Sequence, residues 1–219
     1  MLPESTSLSA EIVIKRSRFI ARIDRVDSAE QARAMISEVR SAMPDARHHC
    51  TAFIVPSEGA LPISRSSDDG EPSGTAGRPM LDVLAGVPLV GVVAVVTRYF
   101  GGTLLGTGGL VRAYSQAVRE ALEGARLVRR EVVPVSLFTV SHREAGRYIA
   151  ELSGRGCKPE VDYGDDGTHI SVPSLDVESI EALVARLSQG AIAVEHGGEV
   201  SREVVCARIR DGRAAPLAQ

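Results

Sequence analysis

The strongest constraint on the fold is the segment from Val90 to Gly124, which combines a β-branched run, a glycine-rich loop and an amphipathic helix. Residues 90–98 (VGVVAVVTR) are apolar almost throughout, which predicts a buried strand. From about Leu110 the apolar residues recur at helical spacing until Gly124, a typical helix stop. The sequence therefore predicts a strand and a helix joined by residues 101–109 (GGTLLGTGG).

Shorter elements are predicted on the N-terminal side of this segment. Ser28 opens a helix through a capping box, because Gln31 follows three residues later. Residues 57–78 are rich in Ser, Asp, Gly and Pro and are predicted to form a long loop, a kind of segment that is usually functional or disordered. The other expected elements are one or two strands at 11–23 with a break near Ser17, the end of the first helix at Pro44, a strand at 49–56 and a short helix at 79–85.

The C-terminal part of the chain has a separate pattern. Residues 125–131 (ARLVRRE) are a candidate boundary, which predicts two domains, 1–130 and 131–219. The second domain has the order strand, helix, strand, strand, helix, strand, which is the β-α-β-β-α-β order of ferredoxin-like folds. Its last residues, 211–219, are expected to be frayed. These patterns assign the chain to the α+β class.

Composition narrows the class of protein. Hydrophobic residues make up 44% and charged residues 24% of the chain, which indicates a soluble globular protein. No apolar run approaches the ~20 residues that cross a bilayer, and the first residues lack the order of a secretory signal, so a cytoplasmic location is expected. Net charge is −3, without the strongly basic domain or stripe typical of nucleic-acid binding. Cys50, Cys157 and Cys206 have no zinc-site spacing, and each is expected to be buried.

The glycine-rich loop and the helix start that follows it form a candidate anion-binding site. Glycines let a backbone approach a ligand closely, and the first turn of a helix presents unpaired N–H groups and a positive dipole end. Arginines nearby add bidentate, charge-assisted contacts. The candidate residues are Arg78, Arg98, Gly101, Gly102, Gly106, Thr107, Gly108, Gly109 and Arg112. Tight packing of strand against helix is the alternative explanation of the glycines, and the loop lacks the Gly-Lys-Ser/Thr of a Walker motif.

The second candidate feature is the acidic loop, residues 66–79 (SSDDGEPSGTAGRP), which contains Asp68, Asp69 and Glu71. Carboxylates in this pattern bind a metal, act as general acid or base, or pair with arginines of the neighbouring loop. Candidate catalytic residues are Glu71, Asp69 and His49. The alternative is a solvated turn in which Thr75 or a neighbour caps the next helix. No metal or cofactor is predicted.

These strings also carry a family resemblance. DDGEPSGTAGRP followed by VVTRYFGGTLLGTGGLVRAYS resembles the signature of the IMPACT/YigZ family, and ARHHCTAFIV and KRSRFIA resemble its N-terminal strands. The resemblance implies an N-terminal domain like the second domain of ribosomal protein S5. It also implies a ferredoxin-like C-terminal domain like a late domain of elongation factor G. Eukaryotic relatives act in translational control and carry a different partner-binding domain at the N-terminus. No such domain is expected in this chain, so that partner is not carried over.

Three hypotheses about function follow. The first is a translation-associated regulatory or binding protein that recognises RNA, the ribosome or another anionic ligand through the glycine- and arginine-rich surface. The second is an enzyme acting on a phosphorylated or acidic small molecule, with Glu71 as general base, or with Asp68 and Asp69 as acid–base groups or metal ligands. The third is an adaptor that docks on a regulatory protein. Binding is ranked above enzymology, because no complete catalytic constellation is visible, and no membrane partner is expected.

Overall fold

The computed structural model describes residues 1–57 and 59–216, and within them the chain forms ten strands and five helices in two five-stranded sheets. In chain order these are β1 (Ser7–Ile14), β2 (Ser17–Arg25), α1 (Ala29–Ala42), β3 (His48–Val55), β4 (Ile63–Ser67), α2 (Gly77–Ala85), β5 (Val92–Tyr99), α3 (Thr107–Leu122), β6 (Arg126–Val140), α4 (His142–Gly154), β7 (Glu160–Gly164), β8 (Gly167–Pro173), α5 (Val177–Ser188), β9 (Glu195–Arg210) and β10 (Arg213–Pro216). The chain divides into two compact units. The first is Met1–Arg129 with the segment from Val205 onward, and the second is Arg130–Val204.

The sheet of the first unit has the strand order β1-β2-β5-β3-β4, and every neighbouring pair is antiparallel. β1 and β2 form a hairpin whose turn residues, Lys15 and Arg16, have φ angles of 47° and 67°. Positive φ at both central residues is the conformation of a type I′ turn, one of the two turns that favour a two-residue hairpin. This turn is the predicted break near Ser17. The central strand is β5, with β2 on one side and β3 on the other.

The first five residues of β5 are apolar, and helices cover both faces of this part of the strand. Val92, Ala94 and Val96 belong to the core shared with α2 and α3, whereas Val93 and Val95 belong to the core shared with α1. Side chains alternate between the two faces of a strand, which separates the two sets. The prediction of a buried strand is thereby confirmed.

The first helix begins as its capping pattern predicts. Ser28 is the N-cap of α1, and its Oγ accepts a hydrogen bond from the Gln31 N–H at 3.3 Å. The Gln31 Oε1 accepts a hydrogen bond from the Asp27 N–H at 2.7 Å. These bonds satisfy N–H groups at the start of the helix. α1 ends at Ala42, just before Pro44.

The predicted loop at 57–78 contains a strand that the sequence interpretation missed. β4 pairs with β3 at the edge of the sheet. All of its residues are exposed, so β4 lacks the alternation of buried and exposed positions by which a strand is recognised. Two helices also begin earlier than predicted, α2 at Gly77 and α3 at Thr107.

The second unit has the predicted β-α-β-β-α-β order, formed by β6, α4, β7, β8, α5 and β9. The second sheet has the strand order β10-β9-β6-β8-β7, and its β10 lies in the segment from Val205 onward that belongs to the first unit. Tyr148 and Leu152 of α4 and Leu183 of α5 share a core with Phe138 of β6 and Ile170 of β8. The two helices therefore bury the apolar side chains of β6 and β8.

The end of β9 groups with the first unit, which the predicted domain of 131–219 did not anticipate. The Ile209 N–H donates to the Ala125 carbonyl, and the Gly124 N–H donates to the Ile209 carbonyl, each at 2.9 Å. Ile209 is fully buried in the core of the first unit. Residues 213–216 pair with β9 as strand β10, so the predicted fraying is wrong for them, and residues 217–219 lie outside the described residues.

Burial of the cysteines follows the prediction fully only at Cys50. Cys50 is buried, Cys157 is half-buried and Cys206 is exposed. Cys206 lies on β9, which is exposed along much of its length, so the expectation of a buried thiol is wrong there. Across residues 1–57 and 59–216, every helix is too short or too polar to span a bilayer.

Candidate functional site

The acidic loop and the glycine-rich loop meet at a cavity of about 410 Å³ in the first unit. We call it the loop cavity. It is lined by Arg47, His48, Glu71, Pro72, Arg98, Phe100, Leu104, Leu105, Gly106, Thr107 and Leu110. The structure thus brings together two segments that the sequence interpretation treated as parts of one functional surface.

Strand pairing explains why these segments meet. In the antiparallel pair of β3 and β5, His48 lies opposite Arg98, so the start of β3 and the end of β5 share one end of the sheet. The ring Nδ1 of His48 is hydrogen-bonded to the Asp69 carbonyl oxygen at 2.8 Å, which holds the acidic loop at the same end. The glycine-rich loop follows β5 directly and leads into α3. The loop cavity is therefore a product of the sheet register.

The start of α3 opens into the loop cavity without a side-chain cap. Its N-cap is Gly106, which makes no side-chain capping bond, and the first turn contains no acidic residue. Thr107, Gly108 and Gly109 therefore present first-turn N–H groups without a side-chain acceptor in the described part of the chain. Such a helix start carries partial positive charge and is a favourable place for an anion.

Different physical constraints apply to the glycines of this loop. A Cβ on Gly101 would overlap the backbone of Arg16, so close packing against the β1–β2 turn requires glycine there. Gly106 has a φ of 73°, a conformation that other residues rarely adopt. Gly108 has neither constraint, because a Cβ there would meet nothing within 4 Å. Packing thus explains part of the loop and leaves Gly108 without a structural reason.

A buried network links the acidic loop to the end of β5. The Arg98 Nη1 donates to the Glu71 Oε1 at 2.6 Å, and the Tyr114 hydroxyl donates to the same oxygen at 2.7 Å. The side chains of Arg98 and Glu71 are only 7% and 4% exposed. The Arg98 Nε is buried without a hydrogen-bond partner among the described residues. Arg98 therefore reaches the loop cavity as a cation that is fixed in place and only partly satisfied.

The titratable groups behind this network are held in their neutral forms. Burial raises the pKa of the Tyr114 hydroxyl, and it raises the pKa of the Cys50 thiol to about 12. The Cys50 Sγ donates to the Asp68 carbonyl at 3.0 Å. Burial lowers the pKa of His49, whose ring Nδ1 is hydrogen-bonded to the Thr97 Oγ1 at 3.0 Å. Neither Cys50 nor Tyr114 is an ionised nucleophile at neutral pH.

The aspartates of the acidic loop have structural partners. Asp68 accepts hydrogen bonds from the N–H groups of Gly74, Ala76 and Gly77 at 2.8 to 3.0 Å, so it caps the start of α2 in place of Thr75. Burial alone would raise the Asp68 pKa, but these donors outweigh it and the pKa lies below its ordinary value. Within residues 1–57 and 59–216, no three His, Cys, Asp or Glu side chains converge as metal ligands.

The second aspartate ties the loop to its neighbours. The Asp69 carboxylate accepts hydrogen bonds from Arg40 at 2.5 Å and from the His49 N–H at 2.7 Å. The three carboxylates of the acidic loop are therefore engaged in structural contacts. Asp69 and Glu71 pair with arginines, and Asp68 caps α2.

The other predicted arginines lie outside the loop cavity. Arg78 is exposed and pairs with Asp82 at 2.8 Å, and the Arg112 Nε donates to the Gly108 carbonyl at 3.1 Å. The cavity contains instead a cation that the sequence interpretation missed, Arg47. Arg47 is exposed and has no hydrogen-bond or ion-pair partner in the described part of the chain. Arg47 lies at the cavity because it directly precedes His48, the first residue of β3, which pairs with Arg98 of β5.

Comparison with known proteins identifies the family. A model of the Impact N-terminal domain matches residues 15–122, which include both loops and α3. The IMPACT family member YigZ of Escherichia coli (strain K12) is 38% identical over 186 residues, covering 82% of this chain and 89% of the relative. An IMPACT family member of Haemophilus influenzae is 45% identical over 205 residues, covering 89% and 95%. A solved structure described as a hypothetical protein aligns at 34% identity with a TM-score of 0.55, covering 87% of this chain and 93% of that one. The chain therefore belongs to the IMPACT family.

Proposed function

We propose that the loop cavity binds the phosphate backbone of RNA and that the protein acts in translation through this contact. The observation that carries the proposal is the uncapped start of α3, which opens into a cavity that also contains Arg47 and Arg98. Backbone N–H groups, a helix dipole and guanidinium groups are the donors that phosphate binding requires. The role in translation is motivated by the family resemblance.

Charge in the cavity favours an anion. The Glu71 carboxylate is paired with Arg98, so these two charges compensate each other. Arg47 remains uncompensated in the described part of the chain, and the helix dipole adds partial positive charge. Between residues 72 and 119 the only acidic residue is Asp82, which pairs with Arg78 on the surface. An approaching phosphate therefore meets donors rather than free carboxylates.

Contacts of the acidic loop favour binding over catalysis. As general base, Glu71 would have to give up the hydrogen bonds that its Oε1 accepts from Arg98 and Tyr114. Asp68 and Asp69 are engaged by backbone N–H groups and, for Asp69, by Arg40. These contacts support an acidic loop that shapes the anion site. The enzyme hypothesis has no comparable observation in its favour.

We extend the proposal to the fold of each unit. The β-α-β-β-α-β order of the second unit supports a ferredoxin-like domain, like a late domain of elongation factor G. For the first unit, we propose a fold like the second domain of ribosomal protein S5. Superposition of an experimental structure on those two domains tests both assignments, and a different strand order in either sheet contradicts the one concerned.

RNA binding as a function of salt tests the function. Fluorescence anisotropy with a labelled single-stranded RNA, together with co-sedimentation with ribosomes, is expected to show binding that weakens as salt rises. Arg47→Ala removes a cation that has no hydrogen-bond or ion-pair partner in the described part of the chain. It is expected to weaken binding and to lower the slope of log affinity against log salt by about 0.7, the value for one phosphate contact on a single strand.

The matched control is Arg143→Ala, since Arg143 is exposed on α4 of the second unit and does not line the loop cavity. This variant is expected to bind RNA like the wild type. Absence of salt-dependent binding by the wild type, or equal losses in the two variants, contradicts the proposal.

A further inference from the structure

The loop cavity contains an exposed apolar surface beside its cationic groups. Phe100 is 49% exposed and Leu104 is 82% exposed, and both line the cavity next to Arg98. A phosphate alone gains nothing from contact with these side chains. A ligand that combines a phosphate with an apolar, planar group uses the whole cavity.

Phe100 is held in position by the buried network. The Arg98 guanidinium lies 5.6 Å from the centroid of the Phe100 ring and 5.4 Å from that of the buried Phe19 ring. Arg98 is itself fixed by its ion pair with Glu71. The guanidinium therefore supports one face of the Phe100 ring, while about half of the Phe100 surface stays accessible to a ligand. A pre-oriented ring loses little conformational freedom on binding.

From this geometry we infer that Phe100 is a stacking platform for an unpaired base, so that the ligand class is single-stranded RNA. The inference rests on the proposed function, because the phosphate of the same nucleotide would bind at the start of α3. The cavity volume of about 410 Å³ lies within the range of pockets that hold small molecules, which suits a single nucleotide. In a duplex, the faces of the bases are stacked on each other and are not available to an aromatic ring.

Three RNA ligands separate base stacking from phosphate binding. They are a labelled single strand, the same strand annealed to its complement, and a strand of equal length with abasic nucleotides. Anisotropy at constant salt is expected to show that the wild type binds the base-containing single strand about tenfold more tightly than the abasic strand, as one stacked base provides. The duplex is expected to bind as weakly as the abasic strand.

Phe100→Leu keeps an apolar side chain and removes the ring. It is expected to bind the base-containing single strand about tenfold more weakly than the wild type and the abasic strand equally well. The control is Tyr163→Leu, which removes another exposed aromatic ring, on β7 of the second unit, and is expected to change nothing. Equal binding of base-containing and abasic strands by the wild type overturns the inference and leaves the phosphate site standing. Absence of binding to all three ligands overturns the proposed function itself.

Discussion

Replacing Thr107 by aspartate puts a negative charge into the first turn of α3, at the wall of the loop cavity. Thr107 directly follows the N-cap Gly106, is exposed and makes no side-chain hydrogen bond in the described part of the chain. A carboxylate at this position complements the helix dipole, which is expected to stabilise the fold by about 0.3 to 1 kcal/mol. The change in folding free energy should therefore be small and favourable.

The same carboxylate opposes a bound phosphate. At a separation of roughly 6 Å and an effective dielectric constant of about 50, the repulsion between two unit charges is about 1 kcal/mol, or roughly fivefold in affinity. Thr107→Asp is thus expected to raise the free energy of unfolding and to lower the affinity for RNA. If the start of α3 had only a structural role, Thr107→Asp would raise the free energy of unfolding and leave the affinity for RNA unchanged.

Thr107→Asn is the matched control, because it has nearly the same shape as aspartate without the charge. Urea denaturation measures stability, and RNA anisotropy at low salt measures affinity. The asparagine variant is expected to bind RNA within about twofold of the wild type, less than one charge contributes. Wild-type affinity in Thr107→Asp, or an equal loss in both variants, refutes an anion site at the start of α3.

Three further predictions concern the framework of the cavity, and urea denaturation checks each. Glu71→Gln leaves Arg98 as a buried cation without a countercharge and is expected to cost about 3 kcal/mol, whereas a loss below about 1 kcal/mol would show that the pair adds little. Asp68→Asn weakens the cap of α2, at a cost of about 1 kcal/mol. Since the pKa of Asp68 lies below its ordinary 3.8, this difference is full above pH 3.8 and shrinks as pH falls below it, and a pH-independent difference would contradict the assignment. Gly101→Ala is expected to destabilise by 2 kcal/mol or more, roughly the cost of an overpacked site, and Gly108→Ala to be neutral or stabilising. Equal effects of these two substitutions would show that packing governs the whole loop.

Much of the fold could be predicted because its elements leave local patterns. The continuous apolar run of β5 and the apolar stripe of α3 follow from burial, and the Ser28–Gln31 pattern marks the start of α1. β4 could not be recognised, because it is mostly polar, exposed and paired with β3 at the edge of the sheet. The return of β9 to the first unit depends on long-range pairing near Ile209, of which the local sequence carries no sign.

The two loops of the candidate site could be predicted from the sequence, whereas the side-chain contacts between them could not. Both loops stand out by composition, and the family resemblance joins them. The pairing of Glu71 with Arg98 links residues far apart in sequence, so no local pattern indicates it. Arg47 was missed for the same reason, since only the opposition of His48 and Arg98 in the sheet brings it to the cavity.

The backbone amides at the start of α3 provide a direct test of phosphate binding at this helix. In a titration of the isotope-labelled protein with short single-stranded RNA, followed by amide NMR, the signals of Thr107, Gly108 and Gly109 are expected to shift most. Phosphate accepting hydrogen bonds from their N–H groups is the cause of that shift. Saturable RNA binding that leaves these three signals unchanged while others move would show that the phosphate does not bind at the start of α3.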